Sequence, residues 1–326
     1  MIMPADSPSI AVVSGHGTSI RLEQSDNGLA RIFLRILCNY TTLAQFPDRE
    51  FMAPGGIGIQ LVEHPAPVAA PPVKPEIVIT RAAESAWTTG RAGMQYRDLI
   101  PGNFGGAVVA SHIRIPDGGP VPDYVHYHRA LFQVIYCKAG WARLVYEDQG
   151  PPFIMNAGDC VLQPAGIRHR VLETSAGFEV IEIGCPAAHE TWRDHEMSLP
   201  TPGNRPDRLF SGQYFLHDKA EDAEWETDDI DDCEIWQTAV MDATQGLGDV
   251  QVVRNPSEDA AYFHGESYGD IVVLYILSGY GNIRIGETGR YRLSEGDCCA
   301  ISRKTAFQIA GESGFCLLMA SLEEKE

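Results

Sequence analysis

The sequence predicts an all-β protein made of sandwiches or barrels, and two observations carry that expectation. From residue 77 onward, short β-branched and aromatic runs such as "GGAVVASHIRI", "LFQVIYC", "WARLVYE", "HRVLE" and "FEVIEIG" alternate with turn residues. Runs of this length, separated by turn residues every eight to twelve positions, are the pattern of short antiparallel strands. A second set then follows, "DVQVVRN", "DIVVLYILSG", "GNIRIGE", "RYRLSEGDCCAIS" and "FCLLMAS", so the architecture is expected to occur twice.

The two sets share a frame. Moving His126 onto His264 is a shift of 138 residues, and the same shift brings Gly158 onto Gly296 and Asp159 onto Asp297 within a shared "GDC". It also sets His128 against Glu266, Gln133 against Ile271, Pro164 against Ser302, Gly166 against Lys304 and His169 against Phe307. The second unit therefore keeps the frame and loses the histidines.

Between and before these units the composition changes. Residues 64–76, "HPAPVAAPPVKPE", hold five prolines, which favour extended unpaired backbone, so they read as a linker. Residues 1–63 contain a strand-like run, "RIFLRILCNY", but no pattern that assigns a fold. Residues 217–236 carry ten acidic side chains without the ordered ligands of a calcium loop, and read as a solvated connector. The expected division is 1–76 for the N-terminal extension and linker, 77–200 for the first barrel, and 201–326 for the connector and second barrel.

With 326 residues, the chain has enough apolar material for these cores. A net charge of −19, with no basic cluster, argues against nucleic acid as a partner. No apolar stretch is long enough to span a bilayer, and the eight cysteines form no C-x-x-C motif or short framework. The expectation is a cytoplasmic protein with reduced thiols, a small-molecule partner and self-association into a homo-oligomer.

The chemistry concentrates in "VHYHRALFQ" and "GDCVLQPAGIRH". Residues two apart on a strand project to one face, so His126 and His128 point the same way while Tyr127 points oppositely. In the second stretch Gly158 turns the chain, Pro164 ends a strand, Gly166 permits a tight bend and His169 begins the return strand. Such a hairpin can bring His169 opposite the pair. Each of three converging imidazoles needs a partner for its ring nitrogens, and one metal ion provides it for all.

These residues resemble the two motifs of the cupin superfamily. His126-x-His128, four residues, Gln133, six residues and Gly140 follow the first motif, with Gln in the usual place of Glu and Pro120 in the slot of its leading glycine. Gly158, five residues, Pro164-x-Gly166, two residues and His169 follow the second, which ends here in Glu173 rather than Asn. The resemblance covers about residues 100–185 strongly and 245–320 weakly. It implies a bicupin, two double-stranded β-helix (jelly-roll) barrels of which the first is metal-competent and the second degenerate.

The resemblance further implies a divalent metal on His126, His128 and His169, with Gln133 as a weak ligand or a hydrogen-bonding neighbour. Iron(II) is favoured, with Zn, Mn or Ni as other occupants, because imidazole serves all of these ions. Cupins with three histidines and no glutamate include dioxygenases that cleave aromatic hydroxy-acids or β-diketones, so that activity is the leading expectation. A metal-dependent lyase or isomerase, and a non-catalytic small-molecule binder, are the alternatives. Tyr124 and Glu173 are the candidate acid–base groups, and Arg143, Gln163 and Arg168 the candidate substrate contacts. Tyr96 and Arg97 are further candidates for the mouth.

Overall fold

The computed structural model describes residues 68–90, 93–227, 233–266, 270–287, 289–302 and 305–323, together with parts of the first 63. Two barrels, each made of two facing sheets, account for nearly all of it. In the first barrel a seven-stranded sheet runs in the order Leu216–Asp218, Cys160–Leu162, Phe132–Ala139, Phe178–Cys185, Val109–Ile115, Gln95–Asp98, Thr88–Thr89. The facing sheet is Phe153–Asn156, Trp141–Tyr146, His169–Thr174, His126–Arg129 and Glu190–Arg193, with Gly119–Pro120 paired to the third of these. The second barrel repeats the plan with a seven-stranded sheet centred on Cys316–Leu322 and a four-stranded sheet from Ala261–Glu266 to Gly289–Ser294. No described helix is long and apolar enough to cross a membrane.

The two seven-stranded sheets pack back to back. Alternate residues of their central strands go to different cores, so Val134 and Tyr136 meet Val273, Tyr275 and Leu318 between the barrels, whereas Cys137 faces the interior of the first. In the same way Cys298 faces the joint and Cys299 the interior of the second barrel. A strand buried on both faces has no polar face to display, which is why "LFQVIYC" and "DIVVLYIL" read as continuous apolar runs. Cys137, Cys160, Cys298, Cys299 and Cys316 are free thiols.

The barrels also exchange strands. Ile77–Thr80 pairs with Cys298–Ile301 of the second barrel, and Leu216–Asp218 with Cys160–Leu162 of the first. The expected boundary at 77 is therefore corrected, since the first strand after the linker belongs to the second barrel's sheet and part of the connector to the first. The shared "GDC" explains how the exchange is fastened. Gly158 and Gly296 both turn with positive φ (96° and 82°), and the aspartate that follows caps its own turn through Asn156 N or Ser294 N. Its other oxygen accepts a backbone N–H from the exchanged segment, Ala220 on Asp159 and Ala82 on Asp297, at 3.0 and 2.9 Å. His217 and Arg81 add side-chain contacts to the same two carboxylates.

The 138-residue repeat is exact at this turn and one residue off at the histidine strand. His126 lies opposite His169, but Gly265 rather than His264 lies opposite Phe307. One residue of slip sends a side chain to the other face, and His264 is accordingly exposed, against Gln308. The barrel interior at this level is filled by Phe263 and Phe307, the latter so close to Gly265 that an added Cβ would lie 2.2 Å from its ring. The alignment of Lys304 with Gly166 lies outside the described residues.

Segments before the barrels form small sheets, including a parallel pairing of Phe33–Cys38 with Gly58–Glu63. The proline-rich residues 68–76 have no regular structure, as their composition requires.

A polar network bridges the barrels within their apolar joint. Arg97 Nη2 donates to His112 Nδ1 (2.9 Å) and to the Gly296 carbonyl (3.1 Å), and Tyr275 Oη lies 3.1 Å from the same His112 nitrogen. Because a guanidinium only donates, Nδ1 accepts and Nε2 carries the proton toward Glu179, 2.8 Å away. Arg97 is thus committed to the joint and does not line the mouth. Burial pushes the His112 imidazole below its ordinary 6.5, opposed by Glu179 and assisted by Arg97 and Lys138. The His112 hydrogen bond, with Lys138, holds Glu179 down to about 2 from 4.5.

The sign of the pH dependence follows. Below about 6.5 the unfolded chain binds a proton at His112 that the folded chain resists, and below about 4.5 it binds one at Glu179, so both groups weaken the fold as pH falls. The melting temperature is expected to drop between pH 7 and 5, and less steeply for His112→Gln. Calorimetry across that range checks it; parallel curves for both proteins would remove His112 as the cause.

Candidate metal centre

The first barrel's interior is lined by Met94, Leu144, Tyr146, Met155, Val161 and Ile167 among others, and the three histidines open into it from the smaller sheet. His126 and His169 sit directly opposite each other on neighbouring antiparallel strands, and His128 is two residues along. Their ligand atoms all lie within 4.8 Å of one another. His126 and His169 are buried and His128 is half-buried, as a centre reached from one side requires. Among the described residues no carboxylate oxygen joins this cluster.

Each ring is oriented by its other nitrogen. His126 Nδ1 donates to the Tyr124 carbonyl (2.8 Å) and His169 Nδ1 to the Ile167 carbonyl (3.1 Å), since a carbonyl can only accept. His128 Nδ1 lies 2.9 Å from the Thr191 hydroxyl. With Nδ1 committed, Nε2 carries the lone pair, which is the tautomer a metal needs. The buried Asp123 carboxylate stands 3.6 Å from His126 Nδ1 and accepts the Val171 N–H at 2.9 Å, tying the two histidine strands together. The donor set fits a divalent cation held by three neutral imidazoles.

Gln133 is buried on the opposite wall, where its amide donates to Glu182 Oε1 at 2.6 Å. Glu182 is paired with Ile135 across the sheet, between Ile181 and Ile183, which face the inter-barrel joint, so the carboxylate faces the first barrel's interior. This explains the glutamine in the usual place of glutamate. Two carboxylates at that distance would repel, whereas an amide neutralises nothing and donates a hydrogen bond. Glu182 was not singled out from the sequence, although the odd-numbered alternation of "FEVIEIG" against the buried isoleucines was the available signal.

Gln163 also belongs to the site. Its side chain accepts the Tyr146 hydroxyl at 2.5 Å, its backbone N–H donates to the Gln133 carbonyl, and the Tyr146 ring stacks on His169 at 5.4 Å. Burial, with Glu182 and Asp123 nearby, pushes the Tyr146 phenol well up, so it remains a donor. Tyr124 contributes its carbonyl, and its ring lies edge-on to His126 at 5.8 Å with Arg193 over its far face. A fourth histidine, His189, has its ring 5.4 Å from that of His128 and its Nδ1 on the Pro186 carbonyl.

Three candidates lie elsewhere. Arg143 and Glu173 pair with each other at 3.4 Å on the outer surface, with side-chain exposures of 47% and 38%. The shared parity of Glu173 with His169 fails because the pairing of the two strands slips between Arg143/Glu173 and Leu144/Val171, a bulge that adds Leu172 and reverses the face. Arg168 alternates with His169, and accordingly points away, to Asp194 at 3.1 Å and over the Tyr127 ring.

Residues 111–183 match the family model of the cupin domain. With its second barrel of the same plan, the chain has a bicupin fold, two jelly-roll barrels in tandem. Solved structures similar to it include the oxalate decarboxylase of Lactobacillus farciminis in complex with formate, at 13% identity and a TM-score of 0.57 over 76% of this chain and 86% of that one. The Bacillus subtilis oxalate decarboxylase at pH 4.6 is also similar, at 13% identity and a TM-score of 0.55, with 78% of both chains covered. So is a structure of that enzyme from work on its Mn(II) centres, at 11% identity, a TM-score of 0.56 and coverage of 79% and 80%. None of the curated proteins matches by sequence.

Because the barrel core is apolar and the histidines only open into it, His128→Ala is expected to abolish stoichiometric metal binding while the circular dichroism of the fold persists. Arg143→Gln and Glu173→Gln are expected to leave metal content unchanged. Elemental analysis of the three purified variants tests both; equal metal in His128→Ala and wild type would refute the ligand assignment.

Proposed function

We propose that this chain is a metal-dependent enzyme whose first barrel holds a divalent cation on His126, His128 and His169, and a small substrate that chelates it through two oxygens. The favoured reaction is oxygen-dependent cleavage of an aromatic hydroxy-acid or β-diketone type of substrate, with iron(II) as the ion. One observation carries this reading: three oriented imidazoles with, among the described residues, no carboxylate in the cluster. His126, His128 and His169 would hold a cation without neutralising its charge, and iron(II) held there would supply Lewis acidity and electrons for oxygen chemistry.

The chain's own groups supply the rest. Gln133 and Gln163 are neighbours on one wall of the barrel, and with Glu182 and Tyr146, to which they are bonded, they set where polar atoms of a substrate can lie. Glu182, with one oxygen bonded to the Gln133 amide, is placed to accept a proton from a substrate hydroxyl or enol. The Tyr124 carbonyl holds His126 in its tautomer. The packed apolar wall excludes bulk water from this pocket.

A second reading has an observation of its own. The interior carboxylate of Glu182 could move a proton while the cation only stabilises an oxyanion, which is lyase or isomerase chemistry needing no oxygen. The decarboxylases that share the fold make a small carboxylic acid the substrate class for that case. The unpaired, buried thiols support a reducing compartment, and we place the protein in the cytoplasm.

Oxygen-electrode screening of the iron-loaded protein against diketones, hydroxy-aromatics and dicarboxylates separates the readings. Uptake of oxygen coupled to product is expected; product formed equally without oxygen would overturn the dioxygenase reading in favour of the lyase. Glu182→Gln is expected to cut turnover by about 10²-fold or more under either reading, while metal content stays as in wild type. Unchanged turnover would remove Glu182 from the chemistry.

A further inference from the structure

Among the described residues apolar side chains fill the second barrel's interior, while its outer face carries a hollow of about 460 Å³. The hollow lies on the four-stranded sheet, and Asn282, Arg284, Arg290, Arg292 and Gln308 line it. Arg284 is directly opposite Arg290 on the neighbouring strand and opposite Gln308 on the other, while Asn282 is directly opposite Arg292. Like charges facing each other across an antiparallel pair repel, and ordinarily an acidic neighbour relieves them. Here, among the described residues, none of the three arginines forms an ion pair, in a chain with 44 acidic residues against 25 basic ones. Arg292 stacks on the Tyr280 ring, and its carbonyl accepts a bond from Arg81, which fastens this edge strand to Asp297.

Protection of the sheet edge does not account for the arrangement. Charges on the edge strand Gly289–Ser294 would serve that purpose, and Arg290 and Arg292 are there. Arg284 is on the inner strand Tyr280–Ile285, where nothing needs protecting and where its charge only adds to the repulsion. Three guanidinium groups and the Asn282 amide line the hollow beside Gln308, whose amide nitrogen lies 2.7 Å from His264 Nε2, and among the described residues no carboxylate pairs with these arginines. Forked donors of this kind recognise carboxylate or phosphate oxygens.

The geometry points to a second ligand site here, on the outer face of the metal-free barrel, for a small polyanion bearing two or more carboxylate or phosphate groups. Bound anion relieves the repulsion between Arg284 and Arg290 and takes hydrogen bonds from both forks. The site is independent of the metal centre and of whatever reaction that centre carries out.

Titration calorimetry of the full chain with tricarballylate and with inorganic pyrophosphate, at fixed ionic strength, tests it. Saturable binding with one site per chain is expected, stronger for whichever oxyanion the forks fit. Arg284→Gln with Arg290→Gln is expected to weaken binding by about tenfold or more per arginine, since each removes charge-assisted hydrogen bonds. Arg143→Gln, a surface arginine far from the hollow in sequence and sheet, should not weaken it. His128→Ala should bind as wild type does, which separates the hollow from chelation at the metal centre. Should the double variant misfold by circular dichroism, Arg290→Gln alone gives the same reading. Absence of saturable binding for both anions, or binding that survives loss of the arginines, overturns the proposal.

Discussion

The packing of two seven-stranded sheets against each other is the constraint on which the rest depends. It buries both faces of the central strands, fixes which residues look into each barrel, and leaves each smaller sheet free to face outward or inward as its sequence directs. Apolar residues of this joint and of both interiors make up the cores. The exchanged strands Ile77–Thr80 and Leu216–Asp218 extend the same sheets, so neither barrel's larger sheet is complete without the strand that leads into the other barrel. Asp159 and Asp297 make that exchange specific by accepting N–H groups from the incoming segments.

Each imidazole is anchored at Nδ1 by a neighbour on its own or an adjoining strand, so the backbone sets where its Nε2 points. The opposing wall solves a different problem. Glu182 puts one carboxylate into the interior, and Gln133 gives it a donor instead of a second negative charge. Glu182 thus lies on this wall and outside the histidine cluster.

Much of this was legible in the sequence because it rests on short-range rules. The period of two placed His126 and His128 on one face, and Gly158, Pro164 and Gly166 spelled out the hairpin that returns His169. The fold class followed from strand length and turn spacing, and the lost second site from Phe307. What was not legible depends on pairing between distant strands. A bulge at Leu172 reversed Glu173, a one-residue slip exposed His264, and alternation on the return strand turned Arg168 outward. Strand exchange was hidden for the same reason, since "PEIVIT" carries no mark of the sheet it will join. Glu182 escaped because the strand Phe178–Cys185 carries two carboxylates, Glu179 and Glu182, and which of them faces the interior depends on the partner strand.

The asymmetry between the barrels has a physical logic. Once aromatic rings fill an interior, the barrel needs no ion and its histidine position is free to slip to the surface, as His264 has done. Filling the second interior with Phe263 and Phe307 also stiffens the sheet that carries Arg284 and Arg290, because the inward residues of those strands, Ile283, Ile285 and Leu293, are locked against that packing. A repulsive pair of arginines is tolerable only on such a support, where the strands cannot part to relieve it. The same frame that collects imidazoles inside one barrel can therefore hold guanidinium groups together outside the other.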